Sequence, residues 1–134
     1  PYYKIINASN YASASTGVQP IQMLGYSMNA VSFPKNGELS YLIDYPANQD
    51  ASLKIALIPT QPNDKGDIRF SVSIDGGEST IFSIKEPFRS EQWKRNVLSG
   101  QAVKEIKVRW TKGLHHVVIK ALDNHIVVDQ LTIE

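Results

Sequence analysis

Thirteen acidic side chains and three histidines are the residues of this chain that could perform acid–base chemistry. A sugar hydrolase needs two carboxylates a few ångströms apart, and the acidic residues show no pattern that predicts such a pair. Asp75 and Glu78 flank two glycines at a predicted hairpin tip. Glu86 and Glu91 flank a predicted loop, and Glu105 lies among charged neighbours in a strand pattern. We therefore expect no catalytic residue in this chain.

The histidines are not spaced as metal ligands. His115 and His116 are adjacent at the start of a predicted strand, so their side chains point to opposite faces and cannot share one metal ion. His125 lies in a turn with Asp123. Cysteine is absent, which excludes a thiolate nucleophile and a cysteine metal site. We expect structural roles for all three histidines, and neither a metal nor a cofactor.

Aromatic side chains are the remaining candidates, because sugar rings stack on exposed Trp and Tyr. Trp110 lies on the apolar side of its strand and is predicted to be core. Trp93 is open to either role, with core packing favoured, and Arg95 could bond a carboxylate through its planar fork. Loop or edge regions hold four tyrosines, Tyr2, Tyr3, Tyr11 and Tyr26. We select Trp93, Arg95 and Tyr26 as candidate carbohydrate-binding residues.

The bulk composition favours one globular domain over residues 1–134. The 14 basic and 13 acidic residues give a net charge of +1, and basic residues such as Lys104, Lys107 and Arg109 alternate along a strand as on a solvated face. Nucleic-acid binding needs a clustered basic face, so we expect no such partner. No apolar run approaches the roughly 20 residues of a membrane span, and the abrupt start at Pro1 suggests a mature or excised domain.

Period-two alternation predicts the strands. It is clear at Ile68–Ile74, at Leu39–Tyr45 and at Leu53–Leu57, and shorter runs at 3–7 and 30–33 are predicted as further strands. Residues 8–22 have no period and are predicted to form a long loop. No helical periodicity of useful length is present, so we expect no helix.

Turn residues divide the second half of the chain. Asp75, Gly76, Gly77 and Glu78 predict a tight hairpin. Turns at 112–113 and at 123–125 divide the last third into three strands, which we interpret as a meander whose final strand is central. About nine short strands favour an all-β antiparallel sandwich, a jelly roll of the galactose-binding type, over an open sheet.

Several segments resemble one family in the order in which they occur. They are GYSMNAVSFP at 25–34, LSYLIDYP at 39–46, RFSVSIDGGE at 69–78, Trp93 followed by Asn96, Val97 and Leu98, and GLHHVVIKALDNHIVVDQLTIE at 113–134. They resemble the C-terminal domain of glycoside hydrolase family 115, the xylan α-glucuronidases. In the last hairpin of this chain, Gly113, His115 and Asp123 match residues that are common at the corresponding positions of that family. Asn124 and His125 replace a Pro-Gly pair, and Asn tolerates the left-handed conformation that such a turn needs.

The resemblance implies a non-catalytic jelly roll whose parent enzyme carries the catalytic carboxylates in other domains. It also implies an extracellular or periplasmic location. A wider resemblance is to carbohydrate-binding modules of families 6 and 35, which often open with Ile-Glu-Ala-Glu-x-Tyr and hold calcium with those glutamates and a late Asp. Here Asn7 and Ser9 replace the glutamates, although Asp129 could be the late Asp. Hard cations need charged oxygens, so calcium is not expected.

Two functions follow from these features, in this order. The first is an accessory domain that packs on other domains of its parent hydrolase or completes a dimer, and it predicts an exposed apolar patch. The second is a module that binds xylan or a uronic-acid-decorated glycan through Trp93, Arg95 and the loop tyrosines. A free-standing enzyme ranks a distant third.

Overall fold

The computed structural model describes residues 3–60, 67–87 and 89–134. Within them it contains eleven strands and one helix. The elements in chain order are β1 (Lys4–Asn7), β2 (Ser13–Ala14), β3 (Gln19–Gln22), β4 (Asn29–Phe33), β5 (Glu38–Tyr45), β6 (Gln49–Leu57), β7 (Arg69–Ile74), β8 (Thr80–Ser83), α1 (Glu91–Ser99), β9 (Ala102–Trp110), β10 (Gly113–Ala121) and β11 (Ile126–Ile133). None of the described helical segments has the length and apolarity needed to cross a bilayer.

Two antiparallel sheets face each other. One has six strands in the order β3-β4-β11-β6-β9, with β1 also paired to β11. The other has five strands in the order β2-β5-β10-β7-β8. Because each sheet has one apolar face, packing those faces together buries both. The predicted β-sandwich is therefore confirmed.

The core lies between the sheets and comes from the alternating positions of the longer strands. Leu39, Tyr41, Ile43 and Tyr45 of β5 are all buried, as predicted from their period. Trp110 is also completely buried and stacks on Tyr45, with ring centroids 5.1 Å apart and planes inclined by 7°. The prediction that Trp110 belongs to the core is confirmed.

The prediction of a long loop over residues 8–22 is wrong. This segment contains β2, which pairs with β5, and β3, which pairs with β4. Both are short edge strands whose residues are exposed. A strand with no buried face has no hydrophobic alternation, so the pattern used to find the other strands is absent here.

The expectation of no helix is also wrong. Ser90 caps α1 by accepting a hydrogen bond from the backbone N–H of Trp93 at 3.2 Å, and Gly100 ends the helix in the left-handed conformation with φ of 71°. Asn96 is the one buried residue of this helix, so the helix has no buried apolar stripe to produce a 3.6-residue period. The serine and the glycine were the available signals.

The last three strands do not form a meander. β9 pairs with β6 in one sheet, β10 pairs with β5 and β7 in the other, and β11 returns to the first sheet beside β6. The β9–β10 and β10–β11 connections therefore each pass from one sheet to the other. The central position of β11 is confirmed, since it pairs on one edge with β6 and on the other with β1 and β4.

Alternation along β9 also separates two residues that had been assigned to one solvated face. Lys104 lies on the side of the partly buried Ile106 and Val108, and its ammonium is 3.8 Å from a Glu86 carboxylate oxygen. Lys107 lies on the opposite, exposed side. The prediction of one solvated face is therefore wrong for Lys104. Residues an even number of positions apart in a strand share a face, so Lys104 shares one with Val108 and not with Lys107.

Two predicted turns are present. β7 and β8 pair across the hairpin at 75–78, with Gly76 at φ of 72°. The turn at 123–125 also forms, although its left-handed residue is His125, with φ of 69°, rather than Asn124. Asp123 is held by Arg69, whose Nε donates to the carboxylate at 2.9 Å.

His115 is the buried polar centre of the sandwich end. Its Nδ1 lies 2.6 Å from Asp75 Oδ2 and its Nε2 lies 2.6 Å from the Thr111 carbonyl oxygen. Both partners are acceptors, so both ring nitrogens must carry protons for both bonds to form. The ring meets Trp110 edge-on, with ring centroids 5.2 Å apart. The adjacent His116 is exposed, in agreement with the prediction that the two side chains point to opposite faces.

The surroundings of His115 favour its charged form. The hydrogen bond to the Thr111 carbonyl and the one to Asp75 raise the pKa of His115, and nearby Asp44 acts in the same direction. Burial of the Asp75 carboxyl would raise its pKa. Hydrogen bonds from the His116 backbone and the His115 ring outweigh burial, so the pKa of Asp75 is lowered. The pair therefore links the β7–β8 hairpin to the β9–β10 turn.

We predict that the stability of the domain falls as pH rises through the elevated pKa of His115. A histidine whose pKa is raised by folding contributes its full stabilisation at pH values below its unfolded-state pKa of about 6.5. That contribution is lost as pH rises through its folded-state pKa. The contribution of Asp75 is lost only in acid, as pH falls through its lowered pKa, so it does not interfere. His115→Phe keeps a ring against Trp110 but removes both hydrogen bonds, which should cost about 1–3 kcal/mol near pH 6.

The measurement is chemical unfolding of wild type, His115→Phe and the control His116→Gln at several pH values between about 5.5 and 9, either side of the usual histidine pKa. The control should follow the wild-type curve because its side chain is exposed and its backbone N–H remains. Parallel stability curves for wild type and His115→Phe would show that the ring is not charged in the folded protein.

Candidate functional site

A groove of about 300 Å³ lies on the outer face of the six-stranded sheet. Its floor crosses β11, β6 and β9, and its ends reach the segment before β1 and the loop between β3 and β4. The lining residues are Tyr3, Tyr26, Lys54, Ala56, Gln101, Val103, Gln130, Thr132 and Glu134. Aromatic rings beside polar side chains on an open surface are suited to a polar ligand with apolar faces.

Strand alternation produces the floor of the groove. In β11, Leu131 and Ile133 point into the core, so Gln130 and Thr132 point outward. Gln130 faces Ala56 of β6 across the ladder, and Ala56 in turn faces Val103 of β9. The small side chain of Ala56 leaves the middle of the floor low, with longer side chains around it.

Two tyrosines border the groove and expose large parts of their rings. Tyr3 is 59% exposed and Tyr26 is 62% exposed. The Tyr26 hydroxyl donates to the Ser99 carbonyl oxygen at the end of α1, at 2.5 Å. Because this bond fixes the far end of the ring, Tyr26 joins the β3–β4 loop to the helix and keeps a defined orientation at the groove.

Asp129 positions the backbone that carries Tyr26. The register of β11 against β6 shifts between Val128 and Gln130, so Asp129 is the extra residue of a β-bulge. Bulges re-aim side chains, and the completely buried carboxylate of Asp129 accepts backbone N–H groups from Tyr26 at 2.7 Å and from Ser27 at 3.0 Å. One buried charge thus holds the loop against the sheet.

Gly25 allows this close approach. Its φ is +79°, and a Cβ atom at this position would lie 2.4 Å from Asp129 Oδ1, well inside van der Waals contact. Any larger residue would therefore have to displace the carboxylate or the loop. Both the conformation and the contact require glycine here.

The charged groups of the groove neutralise each other. The Lys54 ammonium forms an ion pair with the Glu134 carboxylate, and the hydrogen bond to Glu134 raises the pKa of Lys54 despite the opposing effect of burial. Glu105, directly across the ladder from Lys54, accepts a hydrogen bond from Ser52. The lining therefore carries one cation and one anion already in contact.

Three neutral polar side chains remain open to a ligand. In the described part of the chain, the Gln101 amide and the Thr132 hydroxyl have no hydrogen-bond partner. The Gln130 amide donates to Asn7 Oδ1 at 3.2 Å, which leaves its own oxygen free. Together they offer both donors and acceptors to the groove.

An apolar edge adjoins the groove on the side of Tyr26. The β3–β4 loop exposes Met23 and Met28, and the end of α1 exposes Val97 and Leu98, the last at 87%. The loop and helix end are neighbours because Tyr26 bonds to Ser99. Both methionines have positive φ, 67° and 60°, a conformation that costs non-glycine residues of the order of 1 kcal/mol. We call these four side chains the apolar edge.

A family model described as the glycosyl hydrolase family 115 C-terminal domain matches residues 3–134. The chain belongs to this family. Comparison of its sequence with curated proteins finds no match.

One solved structure that resembles this GH115 C-terminal domain agrees with that assignment, and two others share its fold. A GH115 4-O-methyl-α-glucuronidase with specificity for decorated arabinogalactans superposes with a TM-score of 0.89 at 31% identity; the match covers 98% of this chain and 17% of that protein. A family 35 carbohydrate-binding module from Clostridium thermocellum gives 0.73 at 12% identity, covering 97% of each chain. The CBM35 of Abf62 from Cellvibrio japonicus gives 0.71 at 12% identity, covering 99% of this chain and 93% of the module. The two modules share the fold.

Of the three residues selected from the sequence, only Tyr26 lines the groove. Trp93 is half-buried in the first turn of α1, and Arg95 is exposed on that helix, where its guanidinium donates to Gln92 Oε1 at 3.2 Å. Neither is among the lining residues. Of the other tyrosines, Tyr3 borders the groove, Tyr11 packs partly buried against the core, and Tyr2 lies outside the described residues. A sugar-binding role for Trp93 and Arg95 remains a prediction.

The calcium arrangement of the wider module families does not fit the residues of this domain. Asn7 and Ser9 occupy the glutamate positions, and Asp129 directs both carboxylate oxygens at backbone N–H groups rather than at a shared cation position. The described residues contain no group of three or more His, Asp or Glu placed to hold a metal ion. Charge-assisted hydrogen bonds from the backbone to Asp129 join the bulge to the loop.

We predict that Gly25→Ala destabilises the domain far more than Gly76→Ala. Both glycines have positive φ, but nothing lies within 4 Å of a Cβ placed at Gly76. The control should therefore cost only about 1 kcal/mol of backbone strain. Gly25→Ala adds an overlap with a buried carboxylate and should cost at least about 2 kcal/mol more. Denaturant unfolding gives both values, and equal losses would contradict the close packing of Gly25 on Asp129.

Proposed function

We propose that this chain is a non-catalytic accessory domain of a larger extracellular or periplasmic α-glucuronidase that debranches xylan or a related polysaccharide. The observation that carries the proposal is the apolar edge at 23–28 and 97–98, on a domain that spans 17% of the GH115 enzyme it resembles. We propose that the edge docks on the rest of the parent polypeptide. Exposed apolar side chains gathered at one place are typical of such contacts.

The backbone of the edge supports this role. Met23 and Met28 adopt a strained conformation while their side chains stay exposed, so their strain is not offset by burial within this domain. Strained residues persist where the surroundings fix them and where they serve a contact. The loop itself is fixed by Asp129, which presents both methionines in a set arrangement. Methionine and leucine side chains adapt easily to an apolar partner.

Carbohydrate binding is the second candidate function. It is favoured by the groove, whose two exposed tyrosines flank neutral polar side chains. Modules that share the fold are named as carbohydrate-binding. The two functions use different residues, because none of the four side chains of the apolar edge lines the groove.

The docking proposal predicts that Met23→Ser with Leu98→Ser weakens the domain only within its parent. In the 134-residue chain both side chains are exposed, so the unfolding temperature should change little. In the parent enzyme the lost contact should lower the unfolding temperature of this domain by several degrees, since about 1 kcal/mol shifts a domain of this size by roughly 4 °C. Scanning calorimetry of both proteins checks this.

The matched control is Leu114→Ser with Ile81→Ser, two similarly exposed side chains on the outer face of the five-stranded sheet. It should leave both transitions unchanged. Equal transitions for the Met23/Leu98 variant and wild type in the parent would overturn the proposal. So would loss of a dimer by that variant in analytical ultracentrifugation, which would make a second copy the occupant of the edge.

A further inference from the structure

We infer that the groove binds a neutral saccharide chain and discriminates against a uronic-acid residue within it. The inference rests on the proposed carbohydrate-binding role and goes beyond it, because it assigns the site and the charge of the ligand. It also moves the site from helix α1, where Trp93 and Arg95 lie, to the outer face of β11, β6 and β9.

The shape of the groove fits sugar rings. Neighbouring strands are about 4.8 Å apart, so the floor across β11, β6 and β9 spans roughly 10 Å. Ala56 keeps the centre of this floor low, and Tyr3 and Tyr26 stand beside it with most of their rings exposed. The C–H faces of pyranose rings can contact those aromatic rings. The bond from Tyr26 to Ser99 lowers the entropy that its ring would lose on binding.

The polar groups fit hydroxyls. A sugar hydroxyl can both donate and accept hydrogen bonds. A side-chain amide or hydroxyl can pair with it when its own donor and acceptor atoms are free. Gln101 and Thr132 have no partner within the described chain, and the Gln130 oxygen is free. These three side chains can therefore bind hydroxyl groups without first breaking a hydrogen bond within the protein.

The charges of the groove disfavour a carboxylate. Strong recognition of a carboxylate uses a free cation, best an arginine fork. The only cation among the lining residues is Lys54, and Glu134 already neutralises it. A uronic acid would have to displace Glu134 or sit beside it, and Glu105 adds a second anion across the ladder from Lys54. Either arrangement opposes binding of a negative ligand.

The test is an NMR titration of the 134-residue chain with xylohexaose, with a neutral β-galacto-oligosaccharide, and with a xylo-oligosaccharide that carries one glucuronic acid. The side-chain amide signals of Gln101 and Gln130 report directly on the groove. We expect saturable shifts of both signals with at least one neutral ligand. Any uronic-acid ligand should bind more weakly than its neutral counterpart.

Four variants locate the site. Tyr3→Ala should weaken binding about tenfold, the equivalent of about 1.4 kcal/mol, with an unchanged unfolding temperature because Tyr3 is exposed. Gln101→Ala should also weaken it. Trp93→Ala and Arg95→Ala change α1 outside the groove, so both variants should bind as wild type does. Trp93→Ala is a valid control only if it keeps the wild-type amide spectrum. Arg95 is exposed, so Arg95→Ala serves as the control in the helix if Trp93→Ala perturbs the fold.

Each other outcome has a defined meaning. Equal or tighter binding of the glucuronic-acid ligand, or loss of binding in Arg95→Ala, would overturn the neutral groove while keeping a carbohydrate-binding function. Absence of shifts with every saccharide would overturn both. The docking variant Met23→Ser with Leu98→Ser keeps the groove intact, so failure of the docking proposal cannot be mistaken for failure of this one.

Discussion

The candidate functional surface of this domain depends on a buried carboxylate that accepts hydrogen bonds from two backbone amides. Asp129 lies where a bulge interrupts β11, and its bonds to Tyr26 and Ser27 hold the β3–β4 loop. A buried charge without compensation would cost several kcal/mol. The two N–H groups and the contact with Gly25 therefore specify one loop conformation, and with it the position of Tyr26 beside both groove and apolar edge.

The same residue marks the limit of prediction from the sequence. Alternation identified most of the long strands and placed Trp110 in the core, because a half-buried strand has a period of two. In β11 the inward positions change from Ile126 and Val128 to Leu131 and Ile133. This change of phase at Asp129 was a visible signal of a bulge. What the carboxylate would bind was not visible, since its partners are 102 and 103 residues away.

The candidate site was harder to predict than the fold for a related reason. Of the three residues selected for carbohydrate binding, Tyr26 lines the groove, whereas Trp93 and Arg95 lie in the helix that follows the predicted loop at 86–91. Residues such as Ala56 and Gln101 have no chemical signal of their own. They become part of a site only through cross-strand register and the end of α1, which a single sequence does not display.

Tyr26 gives the two proposed roles a common physical element. Its ring borders the groove, its hydroxyl holds the end of α1, and its backbone is fixed by Asp129 between the two exposed methionines. A neighbour docked on the apolar edge would restrict the motion of this loop before any sugar arrived. Binding then costs less conformational entropy, which is positive coupling without a change of structure. Under both proposals a glycan would therefore bind more tightly within the parent than to the isolated domain, because docking would remove the motion that the loop retains despite the bonds of Tyr26 to Asp129 and Ser99.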